Sequence, residues 1–182
     1  MNFVQPIRDP NLVEDVADYL RKQNERNYIM FLLGIYTARR ISDILKLRVR
    51  DVKNKTAIVI REQKTNKQIS IEMNAILRKA LDEYIEDKEL NEYLIKSRQE
   101  KNKPIGRSMA YKILRDAADE FGLDSIGTHT MRKTFGYHFY KQTGDVVTLM
   151  KIFNHSHPSI TLRYIGIEQE EINTAIRKFR IY

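Results

Sequence analysis

The stretch THTMRKTFGYHFYKQTGDVVTLMKIFNHSHPSITLRY, running from Thr128 to Tyr164, decides how this chain is read. Within it His129, Arg132, His155, Arg163 and Tyr164 bring imidazoles, guanidiniums and a phenol onto what read as consecutive helices. His129 and Arg132 stand three residues apart, so on a helix they share a face, about 5–6 Å apart at Cβ, and both reach one anion. Such a set suits phosphate chemistry without a metal, provided the rest of the chain supplies the missing partners.

Working outward, the bulk numbers set the frame. The 182 residues are enough for one well-cored domain, and 42% hydrophobic with 31% charged residues is ordinary for a globular protein. Lys and Arg number 32 against 24 Asp and Glu, a formal charge of +8, which points toward nucleic acid or an anionic surface. There is no cysteine, hence no disulfide framework and no thiolate zinc site. The longest apolar run, Tyr28 to Tyr36, is too short to span a bilayer, and the N-terminus lacks the pattern of a signal peptide. A cytoplasmic protein with no membrane partner is the expectation.

Upstream of the opening stretch, Asp9-Pro10 is a helix start, with Asp as N-cap and Pro in the first turn. An apolar helix from Asn27 to Tyr36 reads as central, and a third covers Ile41 to Leu47 after the turn Thr37-Ala38-Arg39-Arg40. Lys55–Ile60 and Gln68–Ile71 alternate and carry β-branched residues, which predicts a hairpin about the polar turn Glu62–Lys67. Helix resumes at Asn74, and Tyr93–Ile95 is expected as a third strand, followed by a charged loop, Lys96–Lys103. Ser108 is expected to cap a further helix that Gly122 stops. Helices are also expected over 129–142, 146–153 and 171–179. The sum is one α+β domain over residues 1–182, α-rich, with a small three-stranded antiparallel sheet and a tail helix near 168–180.

Taken singly, the candidate residues say little. Arg40 has Asp43 three residues on to hold its guanidinium, but Arg39 competes for the same role. Lys64 sits in the hairpin turn, where solvation is the default, and Lys67 is its rival. A lone His155 is more often structural than catalytic, and His157 beside it invites a metal reading. That reading lacks cysteines and any carboxylate at a useful offset. Tyr164 is one of ten tyrosines, and its phenol needs cationic neighbours or a base to act.

Their joint order is more specific. Thr37-Ala-Arg-Arg40-Ile-Ser-Asp43 resembles the first arginine box of the tyrosine recombinases, or phage integrases. Gln63-Lys64-Thr65-Asn66-Lys67 is similar to the family's lysine hairpin, and Thr128-His129-Thr-Met-Arg132 to its H-x-x-R box. Phe153-Asn-His155, followed nine residues later by Tyr164, resembles the last box. The similarity runs from the first helix to just past Tyr164. It implies a tyrosine-recombinase catalytic domain that breaks and rejoins double-stranded DNA without metal, nucleotide or other cofactor. Tyr164 would be the nucleophile, Arg40 and Arg132 the phosphate clamp and Lys64 the acid for the leaving oxygen. His129 and His155 would assist at the phosphate, and Asp43 would orient Arg40.

Three positions depart from the family pattern: Ala38 and Asn154 stand where it usually has Gly, and His157 replaces a common Ser. Family members usually carry an N-terminal core-binding domain, and this chain reads as beginning at the catalytic domain. An accessory DNA-binding protein and a tetramer on DNA through the C-terminal helix are the partners this implies. Two alternatives share the fold, a DNA-binding regulator without recombination and a type IB-like DNA relaxing enzyme.

Overall fold

The computed structural model describes residues 4–63 and 66–181. Asp9 begins the first helix, its side chain accepting from the Asn11 N–H while Pro10 occupies the first turn, so helix α1 runs Pro10–Gln23. Asn24 ends α1 and caps the next helix, α2, Glu25–Thr37. Nearly every face of α2 is apolar and buried, and the helix packs against α1, against α4 (Ala75–Ile85) and against α6 (Thr130–Thr143). It is the axis of the main core.

The expected hairpin is present: β1, Ala57–Arg61, pairs antiparallel with β2, Gln68–Glu72, in the register Ile58↔Ile71 and Ile60↔Ile69. The expected third strand is not. Among the described residues the sheet has two strands, and Tyr93 makes only an isolated bridge with Arg48. The cause is burial: Leu94 and Ile95 are both fully enclosed, with no alternation, and Leu94 N–H donates to Leu47 O instead of joining the hairpin. The same pairing ends α3 after one turn, Ile41–Ile44, short of the expected Leu47.

Helix α5, Arg107–Glu120, starts at Gly106 without a side-chain cap, so Ser108 lies inside its first turn. Gly122, at φ +62, ends it as expected. Three short helices follow α6: α7, Val146–Phe153; α8, Pro158–Ile165; and α9, Ile167–Lys178. Helix α8 is not among the helices expected from the sequence, although His157-Pro158 is a start signal of the same kind as Asp9-Pro10. The His157 ring accepts from the Ser159 N–H, which makes it a helix cap. A second hydrophobic cluster of Ala38, Tyr137, Leu149, Phe153, Ile165 and Ile167 holds α7–α9 against α6. Among the described residues no helix is long and apolar enough to cross a membrane.

Candidate active site

Two left-handed helix ends meet the start of α6. Helix α2 stops at Ala38, φ 57, and α7 stops at Asn154, φ 54, both non-glycine residues in a region that favours glycine. Arg132, buried in the first turn of α6, joins them: Nη1 donates to Ala38 O at 2.7 Å and Nη2 to Phe153 O at 3.0 Å. His129 is the N-cap residue of α6 with helical backbone angles, not a residue of its interior, and so keeps the expected spacing to Arg132.

Packing sets Arg39 and Arg40, alternatives in the sequence, in different surroundings. Arg39 is 1% exposed, with Nε donating to Thr37 O, Nη2 to Ile152 O and Nη1 to Glu62 Oε1 at 2.8 Å. Its donors are turned inward. Arg40 is part-exposed and faces the same Glu62 oxygen at 3.3 Å. Asp43 was expected to hold Arg40, but its Oδ1 accepts from the Gln63 N–H at 2.9 Å, fastening the hairpin to α3. The reason is direction: Arg40 precedes α3 in extended conformation, while Asp43 points from the helix toward the hairpin base.

Lys64 lies outside the described residues. Lys67 donates to Asn154 Oδ1 at 2.9 Å, linking the hairpin to the end of α7.

Tyr164, half-buried near the end of α8, is surrounded by the rest. His129 Nδ1 lies 3.4 Å from its Oη, and the His155 and Phe153 rings meet its ring edge-on at 5.3 Å. Lys133 Nζ stands 4.9 Å over its face. His155 Nδ1 is 2.9 Å from the hydroxyl of the buried Thr161, three residues before the phenol.

Electrostatics follow burial. Desolvation pushes the Arg132 pKa down to about 10, with the Tyr164 phenolate opposing it, so the guanidinium is still charged at neutral pH. Burial raises the Tyr164 pKa, and Arg132 and Arg40 pull the other way. His155 is lowered by burial and then by the same two arginines, which favours neutral imidazole. Among the described residues no group of three or more His, Asp or Glu side chains is placed to hold a metal ion.

Arg40, Arg132, His129, His155 and Tyr164 therefore converge, and Asp43 stands behind them. Sequence reasoning missed Glu62, which it had placed in a solvated turn. The signal was there: Glu62, just past β1, continues the alternation of Ile58 and Ile60, and two adjacent arginines beside apolar helices need a counter-charge.

A helical domain that gathers arginines and histidines about one tyrosine matches a known family. Residues 9–171 match the model of the Phage integrase family, and the chain belongs to that family, the tyrosine recombinases. It is 49% identical over 179 residues to the probable integrase/recombinase YoeC of Bacillus subtilis (strain 168), covering 98% of each chain. In fold it is similar to the crystal structure of XerA recombinase, with TM-score 0.73 and 21% identity over 97% of this chain and 67% of that one. It is likewise similar to XerH site-specific recombinase bound to difH substrate in a pre-cleavage complex, with TM-score 0.73 and 16% identity. It covers 98% of this chain and spans 55% of that longer one.

Proposed function

We propose that this chain cleaves and rejoins double-stranded DNA at a specific site through a 3′-phosphotyrosyl intermediate. The observation that carries the reading is the convergence of Arg40, Arg132, His129 and His155 on the Tyr164 phenol. The solved relative XerH, captured with its difH substrate, supports DNA as the ligand.

Tyr164 Oη attacks the scissile phosphorus, the P–O5′ bond breaks, and the phenolic proton passes toward His129 Nδ1. The leaving 5′-oxygen takes its proton from Lys64. Attack by a 5′-hydroxyl reverses the step and restores the phosphodiester, so the bond energy is kept in the protein–DNA link and no nucleotide is consumed. Arg40 and Arg132 hold the non-bridging oxygens, because a guanidinium fork matches phosphate and stays charged at working pH. His155, its Nδ1 2.9 Å from the Thr161 hydroxyl, is assigned the neutral tautomer protonated on Nε2, so that this N–H meets the phosphate as charge builds there.

The outward face of α9 supports assembly on DNA. Ile172, Ile176 and Phe179 are exposed, and docking them on another copy would bury them as a tetramer forms. Exchange of the three for serine should leave a complex of lower mass on DNA, read by light scattering.

The deciding experiment uses a nicked suicide substrate built from the DNA flanking the coding sequence. Wild-type protein should be trapped as a covalent adduct, and Tyr164→Phe should bind as well without forming it. An adduct from the phenylalanine variant would assign the nucleophile elsewhere. Binding by both with an adduct from neither would leave a DNA-binding regulator. Relaxation of arbitrary supercoiled plasmid would favour a type IB-like activity.

A further inference from the structure

We propose that Glu62 is the positioning residue for Arg40, tying that guanidinium to the hairpin in which Lys64 falls by sequence. The inference rests on the DNA-cleaving function above and names a residue which that reading did not need.

Glu62, one residue past the end of β1, continues the inward alternation of Ile58 and Ile60 and is 1% exposed. Its backbone closes the hairpin, with its N–H donating to Lys67 O and its carbonyl accepting from the Asn66 N–H, both at 2.9 Å. Its side chain reaches the other way. Oε1 lies 2.8 Å from Arg39 Nη1 and 3.3 Å from Arg40 Nη1. Arg39 is fixed by the carbonyls of Thr37 and Ile152, so it anchors the carboxylate instead of competing for substrate.

The two contacts differ in kind. Arg39 makes a hydrogen bond with Glu62. Arg40 makes an ion pair, and its Nη1 is buried without a hydrogen-bond partner among the described residues. A carboxylate that attracts the buried Nη1 sets the position of the charge and leaves the exposed part of the guanidinium for phosphate oxygens. Asp43, the other buried carboxylate here, is bonded to the Gln63 N–H and does not do this. One side chain thus sets the distance between an arginine of the clamp and the hairpin.

Two variants test this, both followed by thermal melting. Glu62→Gln keeps the shape and removes the charge. Arg39→Met with Glu62→Met replaces the buried pair by an apolar one; it also frees the Thr37 and Ile152 carbonyls, a cost that the melting temperature reports separately from the cleavage rate. Both should bind DNA within about twofold of wild type yet cleave the saturated suicide substrate about tenfold to a hundredfold more slowly, as expected for a displaced clamp. Arg40 is also followed directly, through its guanidinium 15N signals assigned with Arg40→Lys. Those signals should change from restrained to freely rotating in both variants. Wild-type cleavage by the double variant would overturn the proposal, since Glu62 would then serve only to neutralise Arg39. Arg40 signals untouched by Glu62→Gln would overturn it too. A wild-type chain that forms no adduct would count against the DNA-cleaving function, with the Arg40 signals still deciding the role of Glu62.

Discussion

Arg132, proposed above as part of the phosphate clamp, is also a staple. Its two terminal nitrogens satisfy the carbonyls of Ala38 and Phe153, where α2 and α7 end. A lysine at this position can reach one of them, and an orphaned buried carbonyl costs about 1–3 kcal/mol. Arg132→Lys should therefore lose the covalent adduct and also shift the urea midpoint downward in an equilibrium melt. His155 carries a pH dependence. Burial and the nearby arginines hold its folded pKa below the ordinary imidazole value of about 6.5, so the unfolded chain takes up the proton first. Its contribution to stability is complete above that value and is lost as pH falls through the lower folded one. Urea titrations from about pH 7.5 down to about pH 5 should find a flatter acid limb for His155→Gln than for wild type.

At the scale of elements, the site depends on how closely α6 approaches α7 and α8. A Cβ at Gly136 would lie 2.6 Å from Phe153 Cζ and 2.7 Å from Ile165 Cγ2. Gly136→Ala gains helix propensity of about 1 kcal/mol, but overpacking a rigid contact costs about 1–3 kcal/mol. The net effect should be a lower melting temperature, with a cleavage rate that falls further than the melting shift explains, because Tyr164 rides on α8. Most elements were legible in the sequence because their signals are local: Asp9-Pro10, the alternation of the hairpin, Gly122. What could not be read depended on partners far along the chain. Tyr93–Ile95 has strand composition, yet its neighbours are Leu47–Val49, and only tertiary packing decides that. Asp43 was placed beside Arg40 by spacing, whereas its partner, Gln63, lies twenty residues away. The order of the boxes named candidate residues that the fold brings together; the contacts of Glu62 and Asp43 beneath them run across the chain.

For the whole molecule, the excess of eight positive charges is the long-range feature. If it holds the DNA backbone, the logarithm of the binding constant should fall linearly with the logarithm of salt, by about 0.9 for each phosphate neutralised. Fluorescence anisotropy on a labelled duplex checks this, and a flat response between low and physiological salt would exclude phosphate contacts as the source of affinity. The hydrophobic interior is divided unequally. The main core takes in α1–α5 and the hairpin, while Phe153, Ile165 and Ile167 belong to the smaller cluster with Ala38, Tyr137 and Leu149. A unit held by fewer buried groups opens at lower free energy than the molecule unfolds. Backbone amides of α8 and α9 should therefore trade hydrogen for deuterium well before those of α2, as peptide mass spectrometry would record. If so, Tyr164 would leave and return many times while α2, the helix leading to Arg39 and Arg40, stays closed.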